Sequence, residues 1–117
     1  MFSIIIPTFN NIEYLKICVN SIKKNSKSDH EIIIHINEGI DGTLDYVTQN
    51  KFIYTHTTKN VGLCTAVNLA SAKASTKYII FSHDDMYYCP DWDEVLYNEI
   101  ELLNTNAFFF SGTMIEK

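Results

Sequence analysis

Two hydrophobic rhythms alternate along this chain: short runs of apolar, often β-branched residues, and longer stretches in which apolar residues return every three or four positions. Phe2 to Ile6, closed by Pro7, reads as a buried strand. Asn10 with Glu13 three residues later has capping-box spacing, and Leu15, Cys18, Val19 and Ile22 then follow a helical period. The polar run Asn25 to Asp29 ends that helix. Glu31 to Ile36 is a second strand, Asn37 to Gly42 a turn-rich loop, Leu44 to Asn50 a short helix and Phe52 to His56 a third strand. Leu63, Ala66, Val67, Ala70 and Ala74 give a small-residue helix face, and Lys77 to Ser82 a fourth strand. Pro90 and Asp91 introduce a last helix, with Asp91 and Glu94 at capping-box spacing and Trp92, Val95, Leu96, Ile100 and Leu103 as its apolar face. Ala107 to Phe110 reads as a fifth strand. Phe108, Phe109, Phe110 and Trp92 are expected in the core, Tyr87 and Tyr88 in an exposed loop.

This strict alternation predicts the α/β class, a mostly parallel sheet with helices on both faces and right-handed crossovers. The consequence for function is positional. Thr8 and Asn10, Asn37 and Glu38, and His83, Asp84 and Asp85 follow strands one, two and four, so they converge on one edge of the sheet. Ligands of open α/β sheets collect at that carboxyl edge.

Composition narrows the classes. A chain of 117 residues is one domain, short for an enzyme with two complete substrate sites. No apolar run approaches the ~20 residues of a membrane span. The start lacks a basic leader and enters a strand directly, which predicts no signal peptide and a cytoplasmic location. The formal net charge of −5 argues against nucleic acid, and makes an acidic ligand awkward without a cation. Cys18, Cys64 and Cys89 have no metal or disulfide spacing and read as free thiols.

The candidate chemistry centres on Tyr78-Ile79-Ile80-Phe81-Ser82-His83-Asp84-Asp85, an apolar strand running into adjacent carboxylates. Two neighbouring Asp residues repel unless a cation compensates, and carboxylates suit Mg²⁺ or Mn²⁺; a solvated loop with a helix cap accounts for them equally. Pro7-Thr8-Phe9-Asn10 lacks the glycine-rich turn of dinucleotide sites, so NAD is disfavoured. Thr8 and Asn10 can bond a base or ribose, or simply end a strand and cap a helix. Glu38 can accept from a ligand N–H or hydroxyl, or belong to a turn capped by Asp41 or Thr43. Asn60 and Gly62 suffice as cap and turn residues, and Asn68 lies on the polar side of its helix pattern.

With these segments placed, the whole chain resembles the N-terminal, nucleotide-sugar-binding half of family 2 glycosyltransferases of the GT-A fold. The matching pieces come in the family's order: Ser3-Ile4-Ile5-Ile6-Pro7-Thr8-Phe9-Asn10, Asn37-Glu38-Gly39 with Asp41-Gly42-Thr43, Asn60-Val61-Gly62 with Ala66 and Asn68, and the strand ending in His83-Asp84-Asp85. The resemblance implies transfer of a sugar from a nucleoside diphosphate, UDP-sugar favoured, to a saccharide or glycoconjugate acceptor in polysaccharide biosynthesis. It places Pro7, Thr8, Asn10, Asn60 and Asn68 at the nucleotide, Glu38 at uracil and Asp84 toward the ribose or a metal-bound water. His83-Asp84-Asp85 falls on the DXD motif, which implies Asp85 and His83 at the metal, Mn²⁺ or Mg²⁺, with Asp85 the direct ligand.

Departures from the pattern are specific. His83 stands where the motif has its first Asp, Val67 where an Arg is common, and Glu38 where Asp is commoner. Nothing after Asp85 resembles the family's acceptor site or general base, so the resemblance implies a donor-binding part truncated before both. Three rivals carry weaker signals. A nucleotidyltransferase needs a glycine-rich basic loop after strand one. A flavodoxin-like interaction module places its acidic pair after strand one. The third is a nucleotide-binding domain without catalysis.

Overall fold

The computed structural model describes residues 1–112, in which strands and helices alternate. They are β1 (Phe2–Phe9), α1 (Ile12–Asn25), β2 (Glu31–Asn37), α2 (Thr43–Gln49), β3 (Ile53–Thr57), α3 (Leu63–Ser71), β4 (Tyr78–Phe81) and α4 (Trp92–Leu102). The strands form one parallel sheet in the order β3-β2-β1-β4. Placing β1 centrally and reversing direction on either side of it opens a crevice at the carboxyl edge.

The sheet is covered on both faces, as expected. Phe2, Ile4 and Ile6 join Ile32, Ile34 and Ile36 against Leu15, Cys18, Val19 and Ile22 of α1, Val47 of α2 and Ile100 of α4. On the other face Ile5 and Ile33 meet Ala70, with Val67 and Ala74 alongside. Small side chains let α3 lie close to the strands. Among the described residues no helix is long and apolar enough to cross a membrane. The cysteines are free, Cys18 buried, Cys64 and Cys89 exposed.

Several expectations are corrected. β1 runs through Pro7 to Phe9. Ile5 O accepts Ser82 N, so the β4-facing positions of β1 include Pro7, and β4 has ended by then. The missing proline N–H therefore removes no ladder bond. Neither expected capping box forms. Asn11 and Asp91 occupy the cap positions of α1 and α4 without side-chain cap bonds. Asp41 Oδ2 accepts Ile12 N instead, and Asp93 Oδ1 accepts Glu94 N. Ala107 to Phe110 is not a strand. It pairs with no strand among the described residues, and a lone extended segment gains nothing from its backbone polar groups. Phe108 packs on Tyr78 at 5.6 Å, but Phe109 is 93% exposed and Phe110 is exposed too. Val95 is also exposed, whereas Trp92 and Leu96 pack against the core. Tyr88 is half-buried rather than a loop surface residue: its ring meets Trp92 at 4.7 Å, and burial first of all raises its phenol pKa to about 12.

Candidate functional site

Strand register aligns the carboxyl edge: Phe9 lies opposite Asn37, and Asn37 opposite Thr57. Alternation then decides which side chains point into the core and which leave it. Thr8 shares the side of Ile4 and Ile6 and is buried, yet its hydroxyl must find a partner. It donates to Asp84 Oδ2 at 2.7 Å. One of the two adjacent carboxylates is thus tied to the end of β1.

Asn10 does something other than cap α1. Its backbone is left-handed at φ +45°, and its side chain reaches the turn after β2. Nδ2 donates to Glu38 Oε2 at 3.1 Å, while Oδ1 accepts the amides of Gly39 and Ile40, both at 3.1 Å. Glu38 is itself left-handed at φ +62°. A neighbouring carboxylate finishes this turn. Burial pushes Asp41 upward, but the Thr43 hydroxyl and the amides of Ile12 and Thr43 outweigh it and hold the pKa below its ordinary value.

Asn37, buried at the end of β2, accepts Val61 N at 2.9 Å and so fixes the loop into α3. Asn60 Oδ1 accepts Gly62 N at 2.9 Å, an Asx-turn rather than a helix cap. Gly62 takes φ +79° and ψ 171°, a backbone region essentially reserved for glycine. α3 begins there with no acidic residue in its first turn and no side-chain cap, so its first amides are open to an anion.

These parts enclose a cleft of about 350 Å³ lined by Pro7, Thr8, Asn37, Asn60, His83 and Asp84, among others. The structure therefore brings together Pro7, Thr8, Asn60, His83 and Asp84, with Asn10 and Glu38 forming a bonded pair just beyond the lining. Asp85 is exposed beside Asp84 and outside the lining, and Asn68 lies on the exposed face of α3. His83 is exposed, its ring edge-on to Phe81 at 5.0 Å. A larger cleft of about 500 Å³, lined by Ile22, Ser26, His30, Glu31 and Lys51, lies at the opposite edge. It contains none of the polar groups that follow the strands.

From Asp84 the acidic loop runs down α1. His83 O accepts a weak bond from Cys18 Sγ at 3.6 Å, Ser21 Oγ accepts Tyr88 N, and Asn25 Nδ2 donates to Tyr88 O. Cys18 is not a reactive thiol. Burial, the largest influence, raises it to about 11, and the Asp84 and Asp85 charges push the same way.

Two histidines missed at the level of sequence complete the network. His35 is fully buried and bonds Thr55 Oγ1 at 2.7 Å through Nδ1 and Thr57 Oγ1 at 3.1 Å through Nε2. Desolvation chiefly lowers its pKa. His56 Nε2 meets Glu38 O at 2.8 Å. Only their strand alternation, two residues from Asn37 and one from Thr57, hinted that both end near the site edge.

No group of three His, Cys, Asp or Glu side chains among the described residues is arranged to hold a metal. The donor set still fits one kind of ion. Mg²⁺ or Mn²⁺ is commonly held by one or two carboxylates, the rest of its shell being water and phosphate oxygens. Asp85 and Asp84, with the His83 imidazole, offer that much and no closed cage.

The sequence matches Glycosyl transferase family 2 over residues 3–116. The chain belongs to that family. A relative from Rickettsia bellii, described as an uncharacterized glycosyltransferase, is 30% identical across 98% of this chain and 17% of its own length. A cholesterol galactosyltransferase from Borreliella burgdorferi is 29% identical across 89% of this chain and 30% of its own length. Among solved structures, Staphylococcus aureus TarS 1–349 in complex with UDP superposes with a TM-score of 0.75 at 24% identity, covering 86% of this chain and 32% of TarS 1–349. The mannosyltransferase PcManGT from Pyrobaculum calidifontis, in complex with GDP-Man and Mn²⁺, gives 0.69 at 21% identity, covering 89% and 32%. These likenesses show the fold, an all-parallel α/β sheet of the GT-A glycosyltransferase type. The chain spans less than a third of the length of each of these relatives.

Proposed function

We propose that this chain is the donor-binding domain of a glycosyltransferase that holds a UDP-sugar, with Mn²⁺ or Mg²⁺, for transfer to a saccharide or glycoconjugate acceptor. The observation that carries the reading is the pair of bridges Thr8–Asp84 and Asn10–Glu38, which tie the ends of β1, β2 and β4 around one cleft. Relatives of the same fold carry UDP or GDP-Man with Mn²⁺.

Each group has a task. Glu38 accepts the base N–H, with Asn10 holding the carboxylate, and Pro7 and Thr8 line the nucleoside. Asp84, oriented by Thr8, accepts a ribose hydroxyl. The open amides of α3, with Asn60 shaping the turn before them, face the diphosphate, and Asn68 stands further along that helix. A divalent ion at Asp85, with His83 beside it, would neutralise the charge on the departing diphosphate. That neutralisation matters in a chain with a net charge of −5.

No residue here is assigned as the general base. Calorimetric titration with UDP, with and without Mn²⁺, tests the reading. Metal-dependent binding that is lost in Asp85→Ala is the expected result. Absence of metal dependence, or an unchanged titration in Asp85→Ala, would sink the assignment.

A further inference from the structure

The turn after β2 is pinned from two sides, and the nucleotide contacts above use only one of them. Glu38 sits in a left-handed conformation at φ +62° that a side-chain-bearing residue adopts only when its surroundings enforce it. Its amide donates to Thr57 O at 2.8 Å. Its carbonyl oxygen accepts from His56 Nε2, also at 2.8 Å. A carbonyl can only accept, so the imidazole proton facing it is on Nε2. From the opposite side Asn10 holds Glu38 Oε2 and both following amides. Among the described residues no partner holds Oε1. His56 is exposed, so its ring is not there to fill the core.

We propose that His56 is a positioning residue for base selectivity: by holding the Glu38 carbonyl it keeps the left-handed turn that presents one free carboxylate oxygen to a base with a single ring N–H. Uracil offers one such N–H. Guanine offers an adjacent N–H and amino group that match two carboxylate oxygens, and Asn10 already holds one of them. The inference rests on the nucleoside-diphosphate reading of the cleft.

The test measures affinities of the protein for UDP, GDP and inorganic pyrophosphate with Mn²⁺ by calorimetry. His56→Ala, His56→Phe, His56→Gln and Glu38→Ala are compared, with thermal melting as a check on folding. Wild type is expected to prefer UDP over GDP. Loss of one net hydrogen bond in His56→Ala should weaken UDP about 2–10-fold and contract the UDP-to-GDP ratio, with pyrophosphate unchanged. His56→Phe, which keeps a ring but no donor, should behave the same. His56→Gln, which restores an N–H, should recover most of the ratio. A ratio that survives His56→Ala and His56→Phe but collapses in Glu38→Ala overturns this proposal alone. Lack of UDP binding or of UDP preference in wild type overturns the reading of the base site and this proposal with it.

Discussion

Replacing Asp93 by Asn should destabilise the fold although the residue is far from the cleft. Asp93 is 3% exposed and sits at the amino edge of the sheet, where α4 begins. Its carboxylate accepts Lys27 N on both oxygens at 3.0 Å, Ser28 N at 3.0 Å, Glu94 N at 3.0 Å and His30 Nε2 at 2.9 Å. His30 Nδ1 in turn accepts Phe2 N at 3.1 Å, so its Nε2 must be the protonated nitrogen toward Asp93. Burial by itself would raise the acid; the four donors overcome it and lower the pKa from 3.8 to about 2. That depression corresponds to roughly 2 kcal/mol of stability. Asn keeps one accepting oxygen but turns an NH₂ toward backbone donors, so a loss of about 1.5–3 kcal/mol is expected. Urea denaturation at neutral pH checks it as a lower midpoint at unchanged slope. The pH dependence has a definite sign. The native acid is the stronger one, so its contribution is complete above 3.8 and is lost as pH falls toward about 2. The gap between wild type and variant should narrow over that window. An unfolding free energy within ~0.5 kcal/mol of wild type, or a gap independent of pH there, would refute the reasoning.

Gly39→Ala should cost about 2–4 kcal/mol by denaturation, because φ is +78° and an added Cβ would stand 2.6 Å from Ile36 Cγ2. Gly112→Ala, where an added Cβ meets nothing within 4 Å, should stay within ~0.5 kcal/mol. Thr8→Val removes the donor that orients Asp84, so UDP affinity in the presence of Mn²⁺ should fall about 2–10-fold by calorimetry, and Thr8→Ser should recover it.

The sheet was legible because its two central strands, β1 and β2, are buried on both faces and read as apolar runs. Ile4, Ile5, Ile6, Ile33, Ile34 and Ile36 are all fully buried. The convergence of polar clusters on one edge followed from parallel topology alone. The details that failed share one cause: they depend on partners distant in sequence. Asn10 looks like a helix cap until the Glu38 turn, 28 residues away, is brought beside it. His30 and Asp93 show no motif at a separation of 63. Phe108, Phe109 and Phe110 have a strand's composition, but a strand also needs a neighbour to bond. Within the site, Thr8 and Asp84 were expected from the family pattern at nucleotide and ribose, whereas their mutual bond was not. Local pattern shows where polar side chains leave the core; it does not show which of them meet.

In the proposed reading, the two ends of the sheet divide stability and binding between them. At the amino edge the part-buried Asp93 cluster and Glu31, which accepts from Ser3 and, more exposed, from Ser75 N and Ser75 Oγ, close the structure with charge-assisted bonds. Five of the seven positive-φ residues among those described, Asn10, Glu38, Gly39, Gly42 and Gly62, instead cluster in the loops at the carboxyl edge. Strained backbone persists only where its surroundings over-determine it, and here the bonds from Asn10, His56, Asn37 and Asn60 do so. The proposed base end is therefore arranged before any ligand arrives, and its contacts cost little ordering. The proposed metal end differs. Asp84 is oriented by Thr8, but Asp85 is exposed and has no hydrogen-bond partner among the described residues. In the proposed mode its partner comes with the diphosphate. It follows that UDP should require Mn²⁺ for tight binding while uridine should bind weakly and independently of it.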